Sequence, residues 1–322
     1  MIQRRELLRA TAGIAVLSAS ARVLAQTDAT RIIVGFAPGT ATDALSRMLS
    51  EKLRGGYATT LVVENRIGAS GQIAVMALKG ARPDGSVMLI CPMSILSVNP
   101  HTFNKVAYDP FKDLQPVGNC VTADFALAVG PAVPHEITSV QQFMAWCKAN
   151  PDKASFATGA TGSKLHFAGI KLGMEAGVKM THVGYANGSN AVTDLIGGSV
   201  PAYVGVVPTV TPFANRLRVL ATMGSARSKF LPQAPTLKES GYNVVINENF
   251  GLYLPANASA EQVEKLRVAM TAALKSPEAQ TLFATLGMEA APSDPAELQA
   301  RLRREFDEWG SFVKQIGFKQ DT

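Results

Sequence analysis

The chain has 322 residues, of which 47% are hydrophobic and 17% charged, and its 31 Lys and Arg exceed its 25 Asp and Glu. This composition supports a sizeable core and excludes a disordered protein, and the length suits two domains. Three Cys, at 91, 120 and 147, form no C-x-x-C pair, which excludes a disulfide-dense scaffold and a Cys-built zinc site but leaves open a Cys120–Cys147 bridge. The net charge of +6 leaves nucleic acid, an anionic membrane surface and an acidic ligand to consider.

The N-terminal segment resembles an export signal. Arg4 and Arg5 precede a short apolar run of small residues that ends with Ala25. We therefore predict a twin-arginine export signal over residues 1–25 and a periplasmic mature protein. The apolar run falls short of the ~20 residues that span a bilayer. This segment holds four Arg and one Glu, half of the basic excess, and the rest is spread without a basic cluster, so nucleic-acid binding is not expected.

In the first part of the mature chain, short β-branched runs alternate with amphipathic segments. Strands are predicted at residues 31–36, 61–65 and 87–91, with helices at 44–53 and from 72 to 81. Strands that alternate with helices favour a parallel α/β sheet, in which ligands bind beyond the carboxyl ends of strands.

The second part continues the α/β pattern after a turn at residues 130–134. Strands are predicted at 125–129, 154–157, 180–183, 203–207 and 218–222, and helices at 139–149, from 164, and at 261–274, 278–286 and 296–316. We expect an α/β fold of two lobes, with 26–130 plus 249–322 as lobe 1 and 131–248 as lobe 2. The chain would cross between the lobes near residues 130 and 248.

Three turns place small and hydroxyl residues where a strand passes into a helix, at residues 37–43, 68–71 and 158–163. The first N–H groups of a helix are unpaired and carry the positive end of its dipole, so these turns suit an anion. The alternative is that Ser, Thr and Asp only cap the helices. Three such turns in one chain favour a carboxylate or phosphate ligand. Asp43 is expected to support its turn, because a carboxylate would repel an anion.

Catalytic and metal-binding templates are mostly absent. The sequence has no G-x-S-x-G, H-E-x-x-H or Walker motif, and its four His have no metal-ligand spacing, so neither a cofactor nor a metal is expected. Ser163 and His166 leave open a hydrolase with a nucleophile and a base. Tyr185, Phe36 and Phe250 either line a cleft or fill the core.

Seven segments in order resemble the Bug-type solute receptors of tripartite tricarboxylate transporters: residues 36–43, 63–71, 83–85, 157–166, 182–185, 193–198 and 231–236. The resemblance implies a type II periplasmic binding protein fold, with two α/β lobes and a cleft between them. It also implies a non-enzymatic receptor, expected to be a monomer, that closes around a small organic carboxylate and passes it to membrane transporter subunits. The same fold serving a membrane signalling protein as a ligand sensor is the alternative.

Carried over residue by residue, the resemblance implies a set of ligand contacts with two supporting residues. The implied contacts are Phe36, Gly39, Thr40, Ala41, Thr42, Ala69, Ser70, Gly71, Thr158, Gly162, Ser163 and Tyr185, and the supporting residues are Asp43 and His166. Where the family usually has Asp-Asn before a proline in lobe 2, this chain has Gly205 and Val206. We therefore expect a less polar cleft floor and an aromatic or otherwise apolar acid as the ligand.

Overall fold

The computed structural model describes residues 29–320, so the predicted export signal at 1–25 lies outside the described residues. The strands are β1 (Thr30–Val34), β2 (Leu61–Asn65), β3 (Val87–Pro92), β4 (Leu114–Val129), β5 (Ser155–Thr158), β6 (Thr181–Gly184), β7 (Ala202–Val206), β8 (Arg218–Thr222), β9 (Asn247–Pro255) and β10 (Met288–Ala290). The helices are α1 (Ala41–Leu53), α2 (Gln72–Lys79), α3 (Ser94–Ser97), α4 (Asn99–Thr102), α5 (Val140–Ala149), α6 (Lys164–Glu175), α7 (Gly188–Gly197), α8 (Ala260–Leu274), α9 (Pro277–Leu286) and α10 (Pro295–Ile316). Within this range no helix combines the length and the apolar character needed to cross a membrane.

The strands follow the order β2-β1-β3-β9-β4-β7-β5-β6, with β8 and β10 also paired to β4. The strands of each βαβ unit are parallel, as predicted: β1 pairs with β2 and β3, and β5 with β6 and β7. Strands β4 and β9 run antiparallel to each other between these two groups. The result is two α/β lobes that share their central strands.

The chain passes from lobe 1 to lobe 2 inside β4. This strand pairs with β9 as far as Asp124 and with β7 from Phe125 onward. The first crossing therefore lies a few residues before the position near 130 predicted from the 130–134 turn, because one long strand serves both lobes without a linker. The second crossing is at the start of β9, where Asn247 pairs with Asp124.

Helix α10 contributes to both cores. Leu298 and Leu302, in its first half, are buried in a lobe 1 cluster with Tyr253. Trp309 and Phe312, in its second half, belong to the core of lobe 2. The predicted division places all of 249–322 in lobe 1, whereas the structure shares this helix between the lobes. Its 22 residues span about 33 Å, which is enough to reach both.

The three cysteines are free and buried. Cys120 lies in the lobe 1 core, where its sulfur is 3.4 Å from that of Met270. Cys147 lies in the lobe 2 core. The bridge that the sequence left open is therefore not formed, because the two thiols belong to different cores.

Candidate functional site

The cleft between the lobes contains a cavity of about 280 Å³. This volume is near the lower end of the range for small-molecule sites, roughly 300 to 1,000 Å³. The cavity is lined by Phe36, Ser70, Pro92, Ser94, Ile95, Asn99, Phe125, Ala160, Thr161, Gly162, Ser163, Lys164, Leu165, Val206, Glu248, Phe250 and Gln320. Both lobes and both crossing strands contribute, so a molecule held here would contact all of them. A depression of about 440 Å³ near Tyr57 and Lys265 lies on lobe 1 alone.

Four of the contacts predicted from the sequence line this cavity: Phe36, Ser70, Gly162 and Ser163. The other eight do not line it: Gly39, Thr40, Ala41, Thr42, Ala69, Gly71, Thr158 and Tyr185. They lie in the same turns or next to them, and several have partners within the protein, as described below.

The turn before α6 opens into the cavity. Ser163 is the N-cap residue, but its hydroxyl does not cap the helix and instead donates to the Ala160 carbonyl at 2.6 Å. Gly162 has φ +73° and donates its N–H to His166 Nδ1 at 3.2 Å. The first N–H groups of a helix have no partner within it. Since Ser163, Lys164 and Leu165 all line the cavity, this helix end presents its unpaired amides and positive dipole there.

The opposing loop, residues 68–71, is conformationally strained. Ala69 and Ser70 have φ of +46° and +52°, and the flanking Gly68 and Gly71 also have positive φ. Positive φ costs a residue with a side chain of order 1–3 kcal/mol and is often found at ligand sites. The amide of Asn99 donates to the Ser70 carbonyl at 3.1 Å and stabilises the loop, which places Ser70 at the cavity.

At the turn before α1, the Asp43 carboxylate already occupies the positive end of the helix. The Asp43 carboxylate accepts hydrogen bonds from the Gly39 N–H at 2.9 Å, from Arg47 Nε at 2.8 Å and from Asn65 Nδ2 at 2.8 Å. Burial acts to raise the pKa of Asp43, but these bonds outweigh it and lower the pKa. An internal anion therefore occupies this helix start, and from this part of the chain only Phe36 lines the cavity.

The helices that follow the three predicted turns differ from the other long helices in that no N-cap side chain caps them. Among the described helices of eight or more residues, α5, α7, α8, α9 and α10 are capped by side chains of Ser139, Asn187, Ser259, Ser276 and Asp294. In helices α1, α2 and α6, which follow the three turns, the side chain of the N-cap residue accepts no hydrogen bond from the helix. The capping alternative therefore does not account for the hydroxyls of Thr40 and Ser163.

Thr158 and His166 belong to a buried layer beneath the α6 turn. The Thr158 hydroxyl is 2.8 Å from His182 Nε2, and the rings of His166 and His182 stack at 3.8 Å. Burial lowers the pKa of His166 to about 3 and that of His182 to about 4, so both rings are neutral near pH 7. Tyr185 lies next to Thr158, whose carbonyl accepts the Tyr185 N–H at 2.9 Å, and its hydroxyl donates to Asp194 Oδ2 at 2.7 Å.

The Ser163 and His166 pair is not arranged for catalysis. The serine hydroxyl donates to a carbonyl, and His166 Nδ1 accepts from the Gly162 amide. No hydrogen bond joins the two side chains within the described residues, so the hydrolase alternative lacks its nucleophile and base. In the same part of the chain, no group of three or more His, Cys, Asp or Glu is placed to hold a metal ion.

A buried ionic group forms one side of the cavity, and the sequence did not predict it. Lys164 Nζ lies 2.7 Å from Glu305 Oε2, 3.1 Å from Glu248 Oε1 and 3.2 Å from the Asn247 carbonyl. Burial acts to lower the pKa of Lys164, but the two carboxylates raise it overall and keep the lysine charged. The sequence signal was the run Asn247, Glu248, Asn249 inside an otherwise apolar strand.

The remaining walls are largely apolar, formed by Phe36, Pro92, Ile95, Phe125, Leu165, Val206 and Phe250. Val206, at the position where an apolar floor was expected, does line the cavity. Glu248 and Lys164 line it as well, so the cavity combines apolar walls with one charged region.

Comparison with known proteins identifies the family. The family model for the tripartite tricarboxylate transporter family receptor, TctC, matches residues 45–318. A UPF0065 protein from the gbd 5' region of Cupriavidus necator is 32% identical over 300 residues, covering 89% of this chain and 90% of that protein. The periplasmic binding protein BugD superposes with a TM-score of 0.74 at 28% identity, covering 90% of this chain and 98% of BugD. Rpa4515 of R. palustris, solved with adipate, has a TM-score of 0.79 at 26% identity, with coverage of 91% and 98%.

Proposed function

This chain belongs to the tripartite tricarboxylate transporter receptor family, and we propose that it captures a small aromatic or otherwise apolar carboxylate and delivers it to transporter subunits in the membrane. Members of this family are periplasmic solute receptors, and the chain is such a receptor and not an enzyme. The ligand class and the partner are the parts that we propose.

The uncapped start of α6 is the observation that best supports a carboxylate ligand. Its free N–H groups open into a cavity that also receives Ser70 from lobe 1. A carboxylate accepts several hydrogen bonds at once and is stabilised by the helix dipole, so this position suits it without Arg or Lys as a ligand. Rpa4515, which was solved with adipate, is a family neighbour in which an organic acid is bound.

The apolar walls support an apolar body for the ligand. Phe36 and Phe250 on one side and Phe125 and Val206 on the other would remove hydrocarbon or an aromatic ring from water. Burial of apolar surface contributes about 25 cal/mol per Å², whereas a polyhydroxylated ligand would leave hydroxyls without partners against these walls.

Closure of the lobes is the proposed mechanism. Both lobes contribute walls to the cavity, so a bound acid contacts both lobes only in the closed state. The acid therefore has a higher affinity for the closed state than for the open state, and its binding stabilises the closed state. The closed form is then the one that the membrane subunits recognise. The alternative partner is a membrane signalling protein, and uptake of the radiolabelled ligand by cells with and without the transporter subunits separates the two.

Thermal shift and calorimetry with single acids test the ligand class. A true ligand at 100 times its dissociation constant adds about 2.7 kcal/mol to stability, so its Tm shift is easily measured. We expect benzoate-type acids to raise Tm. Tight binding of citrate or an amino acid, with no response to any aromatic acid, would overturn the proposal.

Residues 1–25 are proposed to be removed during export. N-terminal sequencing of the periplasmic protein should then begin at Gln26. A mature protein that keeps Arg4 and Arg5 would contradict this.

A further inference from the structure

Within the described residues, the hydrogen bonds and the ion pair of the Glu248 carboxylate all fall on one of its two oxygens. Its Oε1 accepts from Lys164 Nζ at 3.1 Å, from the Asn249 N–H at 3.2 Å and from the Ser94 N–H at 3.3 Å. From residue 29 to residue 320, no group donates to Oε2. Glu248 is only 9% exposed, and it lines the cavity.

We propose that Glu248 Oε2 accepts a hydrogen bond from the ligand, which therefore carries an O–H or N–H donor on its apolar body, away from its carboxylate. This inference rests on the proposed function, because the carboxylate end is assigned to the α6 turn. Three bonds on Oε1 fix the orientation of the Glu248 side chain, so Oε2 is a preorganised acceptor. A ligand without a donor would leave this oxygen unpaired once the ligand excludes water from the cavity.

The charge balance argues against a second carboxylate at this position. Lys164 is a single cation between the carboxylates of Glu248 and Glu305, and the group therefore carries one negative charge in excess. Arg301, which is also nearby, is 3.2 Å from Asn249 Oδ1 and 3.7 Å from Glu297. A dicarboxylate that reached Oε2 would meet like charge in a site of low dielectric constant. The receptor therefore selects an acid with one carboxylate and one donor over a dicarboxylate of the same length.

Four para-substituted benzoates of similar size provide the test by calorimetry on the full mature protein. They are 4-methylbenzoate, which has no donor, 4-hydroxybenzoate, 4-(aminomethyl)benzoate, which has an ammonium group, and terephthalate, which has a second carboxylate. We expect at least one donor-bearing acid to bind about tenfold or more tightly than 4-methylbenzoate, and terephthalate to bind most weakly. The tighter of the two donor acids tells whether the donor is a hydroxyl or an ammonium.

Glu248→Gln provides the matched variant. The amide keeps an oxygen for Lys164 and presents an NH₂ donor where Oε2 stood, so the order should invert, with terephthalate gaining and the donor acids losing about tenfold. Glu305→Gln is the control, since Glu305 also pairs with Lys164 but does not line the cavity. This control removes the excess negative charge, so terephthalate should gain, but Glu248 Oε2 stays in place and the donor acids should keep their advantage over 4-methylbenzoate.

The outcomes separate the two proposals. If neither 4-hydroxybenzoate nor 4-(aminomethyl)benzoate binds more tightly than 4-methylbenzoate, or if terephthalate is preferred, the role of Glu248 is overturned and the apolar acid proposal stands. Failure of all four acids to bind, together with tight binding of citrate or an amino acid, overturns both. If Glu248→Gln does not fold, the ranking on the unaltered protein still decides the question.

Discussion

Lys164 Nζ lies 2.7 Å from Glu305 Oε2, and this ion pair joins the first turn of α6 in lobe 2 to the helix that packs on both lobes. The Lys164 side chain is 2% exposed. Glu248, on the second crossing strand, completes the group at 3.1 Å. The ionic group therefore lies where the two lobes meet, beside the cavity.

Lys164→Met should strongly destabilise the protein. Loss of the cation leaves two carboxylates close together without compensation, and breaking a buried pair costs about 3–5 kcal/mol. For a chain of this size we expect Tm to fall by about 10 °C, as measured by calorimetry. Lys148→Met, at an exposed lysine of α5, should stay within about 0.5 kcal/mol of the parent. A loss below 1 kcal/mol for Lys164→Met would show that the pair contributes no net stability.

Gly162→Ala should weaken ligand binding as well as lower stability. Gly162 has φ +73°, and an added Cβ would collide with the side-chain amide of Gln320, which donates to the Thr161 carbonyl at 2.9 Å. Gly177→Ala is the matched control, because Gly177 has φ +62° and nothing lies within 4 Å of its added Cβ. Each substitution costs about 1–2 kcal/mol through its backbone, but only Gly162→Ala should raise Kd, by about tenfold or more. Equal Kd values for the two variants would show that Gln320 and the turn do not shape the site.

Asp124, at the first crossing, should make stability depend on pH. Burial, assisted by the charge of Glu289 and opposed by a hydrogen bond with Ser228, raises the pKa of Asp124 to about 6 from its usual 3.8. The folded protein therefore binds this proton more tightly than the unfolded chain, and stability from this group is lost as pH rises from 4 to 6. Asp124→Asn should stabilise the protein at pH 7.5 by at most about 3 kcal/mol, and by little at pH 4. Denaturant titrations at both pH values measure this, with the exposed Asp152→Asn as control, and an equal effect at both would contradict it.

The three thiols should not react with a thiol reagent in the native protein, and all three should react once the protein unfolds. Burial raises the pKa of each thiol, that of Cys147 to about 12, and only the thiolate reacts. A thiol reagent should therefore label none of the three under native conditions and three per chain in denaturant. A count of one in denaturant without reductant would reveal a bridge.

Prediction from sequence succeeded where the signal is local. The strand at residues 61–65 and the helix at 261–274 agree closely with β2 and α8, because β-branched runs, turn residues and a Ser cap lie next to each other in the chain. The length of β4 was not predicted, since its first half has Gln115, Asn119 and Gly118 among its apolar residues. Helix α7, capped by Asn187, was also missed.

Of the candidate site, only the strand-to-helix turns could be predicted from the sequence. Ser70, Gly162 and Ser163 stand in recognisable strand-to-helix turns, and they line the cavity. Glu248 and Gln320 could not be placed there, because their partners Lys164 and Thr161 are 84 and 159 residues distant in the chain. Such contacts follow from how the lobes pack and leave no periodic mark in the sequence.

The shared helix α10 constrains the order in which the chain can fold. Trp309 and Phe312 complete a core whose other members include Phe143 and Phe167, so this core stays incomplete until helix α10 has left the ribosome. Many proteins of several domains fold from the N-terminus as each domain emerges. Here lobe 2 cannot complete its core before α10 is made, and until then the apolar surface that α10 covers stays exposed.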